Sequence, residues 1–229
     1  MLRFYYSLGP NPLKVALFLE EAGLPYQAVP VDTRLGDQHA PQFRALNPNG
    51  KVPVIDDAGT IVWDSTAILL YLADKTGRFL PPAALRGELL SWLLFTASGV
   101  GPFTGQNVHF TQYAPGPQPY AAQRYAFEAW RHWQIVEERL AGREWMVGDS
   151  YSILDMAVWG WARILSFALG AEARTRLPNV RRLVETINAR PAAARVAELK
   201  ARHAFKAELD AAAMRVMFPG NEGFRPATD

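Results

Sequence analysis

Cysteine is absent from all 229 residues of the sequence. That single absence excludes disulfide frameworks, thiolate metal sites and a cysteine nucleophile. Histidine is scarce: His39, His109, His132 and His203 show no paired ligand spacing, so no metal is expected. Charge of one sign is missing too. The 24 Lys and Arg residues face 22 acids, a net of +2, and the basic residues are scattered. This argues against a nucleic-acid partner. No long hydrophobic run occurs. The most apolar stretch, Leu89 to Phe103, is short and broken by Ser, Thr and Gly, so no membrane span is expected. Met1 to Tyr6 alternates like a strand and lacks the apolar stretch of a signal peptide, which predicts a cytoplasmic protein.

What remains is an ordinary globular composition, 49% hydrophobic and 20% charged, in a length that suits one large domain or two small ones. The pattern divides the chain. Leu2 to Ser7 and Tyr26 to Val31 read as strands around a helix from Lys14 to Glu21 that stops at Gly23. Gln38 to Leu46 reads as a short irregular helix before the turn cluster Asn47-Pro48-Asn49-Gly50. Val52 to Ile55 and Thr60 to Trp63 form a hairpin across Asp56-Asp57-Ala58-Gly59, and a helix follows from Asp64-Ser65 to about Lys75. The order βαβ–ββα predicts a small mixed sheet with helices on both faces. From Pro82 onward strand signals vanish. Helices are predicted over Leu85 to Phe110, Tyr120 to Leu140, Ser152 to Leu169 and Leu177 to Ala189, then a stretch from Arg202 that is helical at first and loop-like at Pro219-Gly220-Asn221. The expected domains are 1–80 and 85–203, with a tail over 204–229.

Four motifs stand in order along these halves: Asn49-Gly50-Lys51-Val52-Pro53-Val54, Asp64-Ser65-Thr66-Ala67-Ile68, Gly101 to Phe110 with Arg124-Tyr125 beyond it, and Ser152-Ile153-Leu154-Asp155. Together they resemble the cytosolic glutathione transferases, and the third resembles the bacterial nu class, relatives of the yeast prion-type transferase homologue. The resemblance covers roughly Leu2 to Lys200. It implies a thioredoxin-like α/β domain with a mixed four-stranded sheet, followed by an all-α domain, and a homodimer. It also implies glutathione as co-substrate, a disulfide or electrophilic small molecule as the second partner, and disulfide reduction as the main activity. Without a cysteine, any such exchange must run on glutathione's own sulfur.

Each candidate residue has a plainer reading beside this one. Asp64 and Ser65 precede a helix and could simply cap it; the resemblance gives them the ammonium and carboxylate of the γ-glutamyl group. Pro53 could be an ordinary edge-strand proline; the resemblance makes the Val52–Pro53 bond cis, with the Val52 backbone facing the peptide. Gln38 could be a solvated polar residue, and Lys51 and Arg124 merely exposed; the resemblance assigns them to the glycyl end, with Arg124 serving its own or a partner's site. Asn11 could be an N-cap, or could donate its amide N–H to the thiolate. Nu-class members carry a Thr beside that Asn, where this chain has Gly9. That departure favours a non-catalytic glutathione-binding or regulatory module as the alternative, with conjugation of an organic electrophile as another. Ser7 is a second candidate for the sulfur and His109 a candidate base. Ser152 and Asp155 read as a structural capping box.

Overall fold

The computed structural model describes residues 1–220. Strands β1 (Leu2–Tyr6) and β2 (Tyr26–Pro30) are parallel, joined by helix α1 (Pro10–Ala22). β3 (Val54–Asp57) pairs antiparallel with β1, and β4 (Thr60–Trp63) antiparallel with β3, giving the order β2-β1-β3-β4. The β3–β4 hairpin closes through Ala58 (φ 54°) and Gly59 (φ 96°), the two positive φ values of a type I′ turn. α2 (Pro41–Leu46) precedes β3 and α3 (Ser65–Thr76) follows β4.

Alternation along β1 decides the two faces. Leu2, Phe4 and Tyr6 turn inward to the main core with Leu17, Ile55 and Ile68, whereas Tyr5 packs on a smaller cluster of Val31, Phe43 and Val54 beneath α2. The mixed four-stranded sheet with helices on both faces is the one expected.

The second half is helical: α4 (Arg86–Phe95), α5 (Gly101–Val108), α6 (Pro119–Leu140), α7 (Ile153–Ala162), α8 (Leu165–Leu169), α9 (Ala173–Arg176), α10 (Pro178–Asn188), α11 (Pro191–Arg202) and α12 (Ala211–Met217). α4 and α5 are joined and extended by π-turns at Thr96–Val100 and His109–Tyr113, so one winding rod runs through the predicted 85–110 region. α7 is apolar nearly all round and correspondingly central, packed against α1, α3, α4 and α10.

Several boundaries differ from expectation, each for a local reason. α1 begins four residues early because Pro10 sits at N1, where its missing N–H is no loss, and Pro12 is still within the first turn. The Ser152–Leu169 helix breaks at Arg163-Ile164. Beyond the last predicted helix, Pro191 opens α11, again as a first-turn proline. Arg202 ends that helix; residues 203–210 are irregular before α12 forms. Asn221 of the expected terminal loop lies outside the described residues. No described helix is long and apolar enough to cross a membrane, and no group of three or more metal-ligating side chains occurs among the described residues.

Candidate functional site

Three backbone features carry the candidate residues: the β1–α1 turn, the turn before β3, and the start of α3. Gly9 is the extended N-cap of α1 (φ −75°, ψ 168°) and supplies no side-chain cap. Pro10 and Pro12 carry no N–H, and the Leu13 N–H is bonded to the Gly9 carbonyl (3.2 Å). Asn11 therefore holds the free amide of the first turn, at the positive end of the helix dipole. It is not the N-cap; it lies inside the helix. Its side-chain Oδ1 accepts from the Trp161 indole Nε1 (3.0 Å), a bond from the sheet-bearing half to α7. Ser7 is half-buried, its hydroxyl 3.9 Å from where a Cβ on Gly9 would stand.

The turn before β3 is built by Asn47. Its Oδ1 accepts from the Asn49 N–H (3.0 Å), its Nδ2 donates to the Lys51 carbonyl (2.7 Å), and its own carbonyl receives the Gly50 N–H (2.9 Å). Gly50 needs to be glycine: its φ is 62°, and a Cβ would meet the Gln38 carbonyl oxygen at 3.2 Å. The Val52–Pro53 bond is cis. Among the described residues neither the Val52 N–H nor its carbonyl makes a hydrogen bond. Lys51 is exposed alongside.

At the start of α3, Asp64 caps the helix: Oδ1 accepts from the Thr66 and Ala67 N–H groups (2.8 and 3.1 Å). Its backbone adopts φ 71°, ψ 122°, a conformation that costs a non-glycine residue about 1–3 kcal/mol. One carboxylate oxygen thus serves the helix and the other does not. Ser65, buried, has no hydrogen bond to its hydroxyl among the described residues. Lys14, on the α1 face one turn beyond Asn11, is 1% exposed; burial lowers its ammonium to about 8, opposed by the nearby Asp64 charge. Sequence reading passed over Lys14, since a lysine in an amphipathic run is normally solvated.

Gln38 points elsewhere. Its amide nitrogen donates to the Val216 carbonyl (3.1 Å) and the Thr33 carbonyl (3.3 Å), while its Oε1 is buried without a partner. The chain beyond α11 is the reason. The Lys206 N–H donates to Asp32 (2.5 Å), Arg34 donates to the Lys206 carbonyl (3.1 Å), and the His39 ring donates to the Val216 carbonyl (2.7 Å). α12 rests so close that a Cβ on Gly36 would sit 3.3 Å from that of Val216. Phe218 then reaches His109 (centroids 4.8 Å) and Tyr113 (5.6 Å). A cavity of about 640 Å³ remains under this strap, bordered by Ser7, Gly9, Arg34, Lys200, Phe205 and Met217.

The remaining candidates are apart. Arg124 lies on α6, about half exposed and paired with Glu128 (2.9 Å), with no contact to the residues above. Asn107 is buried and donates to the Ala168 carbonyl (2.6 Å), a structural role. Burial lowers the pKa of the His109 imidazole, which packs against Phe218. Tyr6 is core, its hydroxyl donating to the Leu199 carbonyl (3.1 Å). So Asn11 lies in the first turn of α1, Val52 before β3, and Asp64 and Ser65 at the start of α3, while Gln38 is engaged by the tail and Arg124 pairs with Glu128 on α6.

Residues 8–75 match the family described as glutathione S-transferase, N-terminal domain, and residues 125–191 the glutathione S-transferase, C-terminal domain. The disulfide-bond oxidoreductase YfcG of Escherichia coli K12 is 39% identical over 205 residues, covering 84% of this chain and 92% of that one. A Burkholderia graminis glutathione transferase solved with two glutathione molecules per subunit is 37% identical, with TM-score 0.80 over 88% of this chain and 89% of the other. The URE2P6 transferase of Phanerochaete chrysosporium, solved with oxidised glutathione, is 32% identical, with TM-score 0.81 over 88% and 96%.

Proposed function

The chain belongs to the glutathione S-transferase family, and from that premise we propose that it reduces disulfides with glutathione, without an enzyme thiol, in the manner of the nu class. The observation that carries this reading is the division of labour at α3. Asp64 spends one oxygen on capping and leaves the other for an ammonium, beside a buried Ser65 hydroxyl and helix N–H groups suited to a carboxylate. Glutathione's γ-glutamyl end presents both groups. The unbonded Val52 N–H and carbonyl suit the cysteinyl backbone that follows, and Lys51 the glycyl carboxylate. Asn11 and the α1 dipole face the sulfur, where a donor stabilises the thiolate relative to its ordinary pKa of ~8.5. Gln38 serves the same peptide once the tail releases it.

The reaction balances without a protein cysteine. The bound thiolate attacks one sulfur of a disulfide RSSR′, forming the mixed disulfide GSSR and expelling R′S⁻, which takes a proton from solvent. A second glutathione thiolate attacks the glutathione sulfur of GSSR, giving GSSG and RS⁻. Two glutathiones are oxidised and one disulfide is reduced.

We further propose a cytoplasmic homodimer. Leu94 on α4 and Phe127 on α6 are 56% and 60% exposed, apolar area suited to a partner surface. Arg124 shares the α6 stripe of Phe127 at i, i+3, and so serves the partner's site rather than its own.

The test is reduction of 2-hydroxyethyl disulfide in parallel with conjugation to an aryl halide. Asn11→Ala should lower turnover at pH 7 about tenfold while glutathione binding is largely kept. Tight glutathione binding with neither activity above background would sink the enzymatic reading and leave the carrier that Gly9 favours.

A further inference from the structure

A primary amide is ambiguous by shape, but its partner is not. An indole N–H only donates, so the branch of Asn11 that faces Trp161 at 3.0 Å must be the oxygen. The nitrogen branch then diverges from it, and it has no hydrogen-bond partner among the described residues. Turned the other way, two N–H groups would oppose each other.

The surroundings are shaped for this one bond. Gly160, beside Trp161 on α7, lets the first turn of α1 close in: a Cβ there would meet the Pro10 carbonyl at 2.8 Å and the Lys14 Cβ at 3.0 Å. Gly101 and Gly105, one turn apart on α5, make room for the indole from the far side. A Cβ on Gly101 would stand 2.9 Å from Trp161 Nε1, and one on Gly105 3.4 Å from Cη2. Gly101 has φ −63° and ψ −57°, ordinary helix open to any residue, so its missing side chain serves space and not backbone. Each glycine weakens its helix by about 1 kcal/mol relative to alanine. Two of them, Gly101 and Gly105, face the indole, and the third, Gly160, brings α1 against α7 beside it.

We infer that Trp161 is the positioning residue for the reaction, fixing the Asn11 amide with its oxygen held and its nitrogen free to donate to the glutathione sulfur, an inference that rests on the role given to Asn11 above. With the oxygen occupied, the amide cannot present an acceptor that would repel a thiolate. Preorganisation of this kind favours the anion without reorganisation at the moment of attack.

The experiment measures the pKa of the thiol of bound glutathione, from its thiolate absorbance across pH, together with kcat and KM for disulfide reduction. Trp161→Phe removes the donor and keeps an aromatic ring. Gly101→Ala keeps the indole and pushes it off Asn11. Both variants should raise the thiol pKa by about one unit, toward the ~8.5 of the free thiol, and lower kcat at pH 7 about tenfold with KM for glutathione within about twofold. Asn11→Ala should do the same, and adding Trp161→Phe to it should do nothing more. If Asn11→Ala raises the thiol pKa and neither of the other variants does, even with a lowered melting temperature, Trp161 is only a packing residue and the inference falls. If Asn11→Ala itself leaves the thiol unchanged, it is the assignment of Asn11 that fails.

Discussion

Lys14 carries its ammonium inside the protein, on a side chain 1% exposed, without an ion pair among the described residues. Burial lowers its pKa from 10.5 to about 8, and the Asp64 charge only partly opposes this. Below pH 8 the lysine is charged in both the folded and unfolded chain, and the desolvation penalty is fully felt. Between pH 8 and 10.5 the folded form is neutral while the unfolded form still holds its proton. The unfolded state then binds more protons, so stability rises with pH across that window. Lys14→Met keeps an unbranched chain without the charge. It should stabilise the protein at pH 7 by up to about 3 kcal/mol and abolish the rise, read as the difference between variant and parent in denaturant melts from pH 7 to 10.5. A variant less stable at pH 7 would show that Lys14 makes a compensating contact. No sequence pattern marks this residue, because i, i+3 spacing cannot say which face of α1 meets α7. Asp64 and Ser65 were legible because capping chemistry is local; Trp161 was not, because its partner lies 150 positions away.

Among the elements, α7 depends most visibly on its first turn. The carboxylate of Asp155 receives three donors: the Met146 N–H on Oδ1 (2.8 Å), and the Ser152 N–H (2.9 Å) and hydroxyl (2.8 Å) on Oδ2. Burial raises its pKa to about 6, and the three donors hold it ionised at neutral pH. Asn at this position has one acceptor oxygen, so its NH₂ must face a donor. Asp155→Asn should therefore destabilise by about 1–3 kcal/mol, and Ser152→Ala by less, with urea m-values unchanged. Near-equal stability of parent and Asp155→Asn would sink the argument. This box was readable from Ser152 and Asp155 alone, as was the βαβ–ββα order from period and from Gly and Pro punctuation. The starts of α1 and α11 were not, since a proline reads equally as a break before a helix or as its first residue. The π-turns of the α4–α5 rod leave no trace in an apolar periodicity of similar length.

At the scale of the molecule, the chain beyond α11 ties the two halves together across the candidate site. It touches Asp32, Arg34, Gln38 and His39 on one side and His109 and Tyr113 on the other. Its hold is slight. α12 has seven residues, of which only Ala213 is buried, and a helix so short has little stability of its own. Asp210 caps it by accepting from the Ala213 N–H (2.8 Å) and pairs with Lys206 (2.8 Å). While this helix is docked, the Gln38 amide nitrogen lies within hydrogen-bond distance of the Val216 carbonyl (3.1 Å), the Thr33 carbonyl (3.3 Å) and the His39 ring Nε2 (3.2 Å). If Gln38 donates to the glycyl end of glutathione, as proposed, the Val216 carbonyl competes for that N–H, and we expect glutathione to bind against the tail. Ending the chain at Ala207 keeps the Lys206 and Ala207 contacts but removes α12, Val216 and Phe218. Glutathione should then bind about three- to tenfold more tightly by equilibrium titration, a shift on the order of one hydrogen bond. Asp210→Ala, which loosens the helix cap by about 1 kcal/mol, should move affinity the same way by less. A bulky apolar disulfide should show the opposite, a higher KM in the shortened chain, because Phe218 over His109 closes that side. If the shortened chain binds glutathione no better than the full one, the tail does not compete for Gln38, and the strap serves the two halves alone.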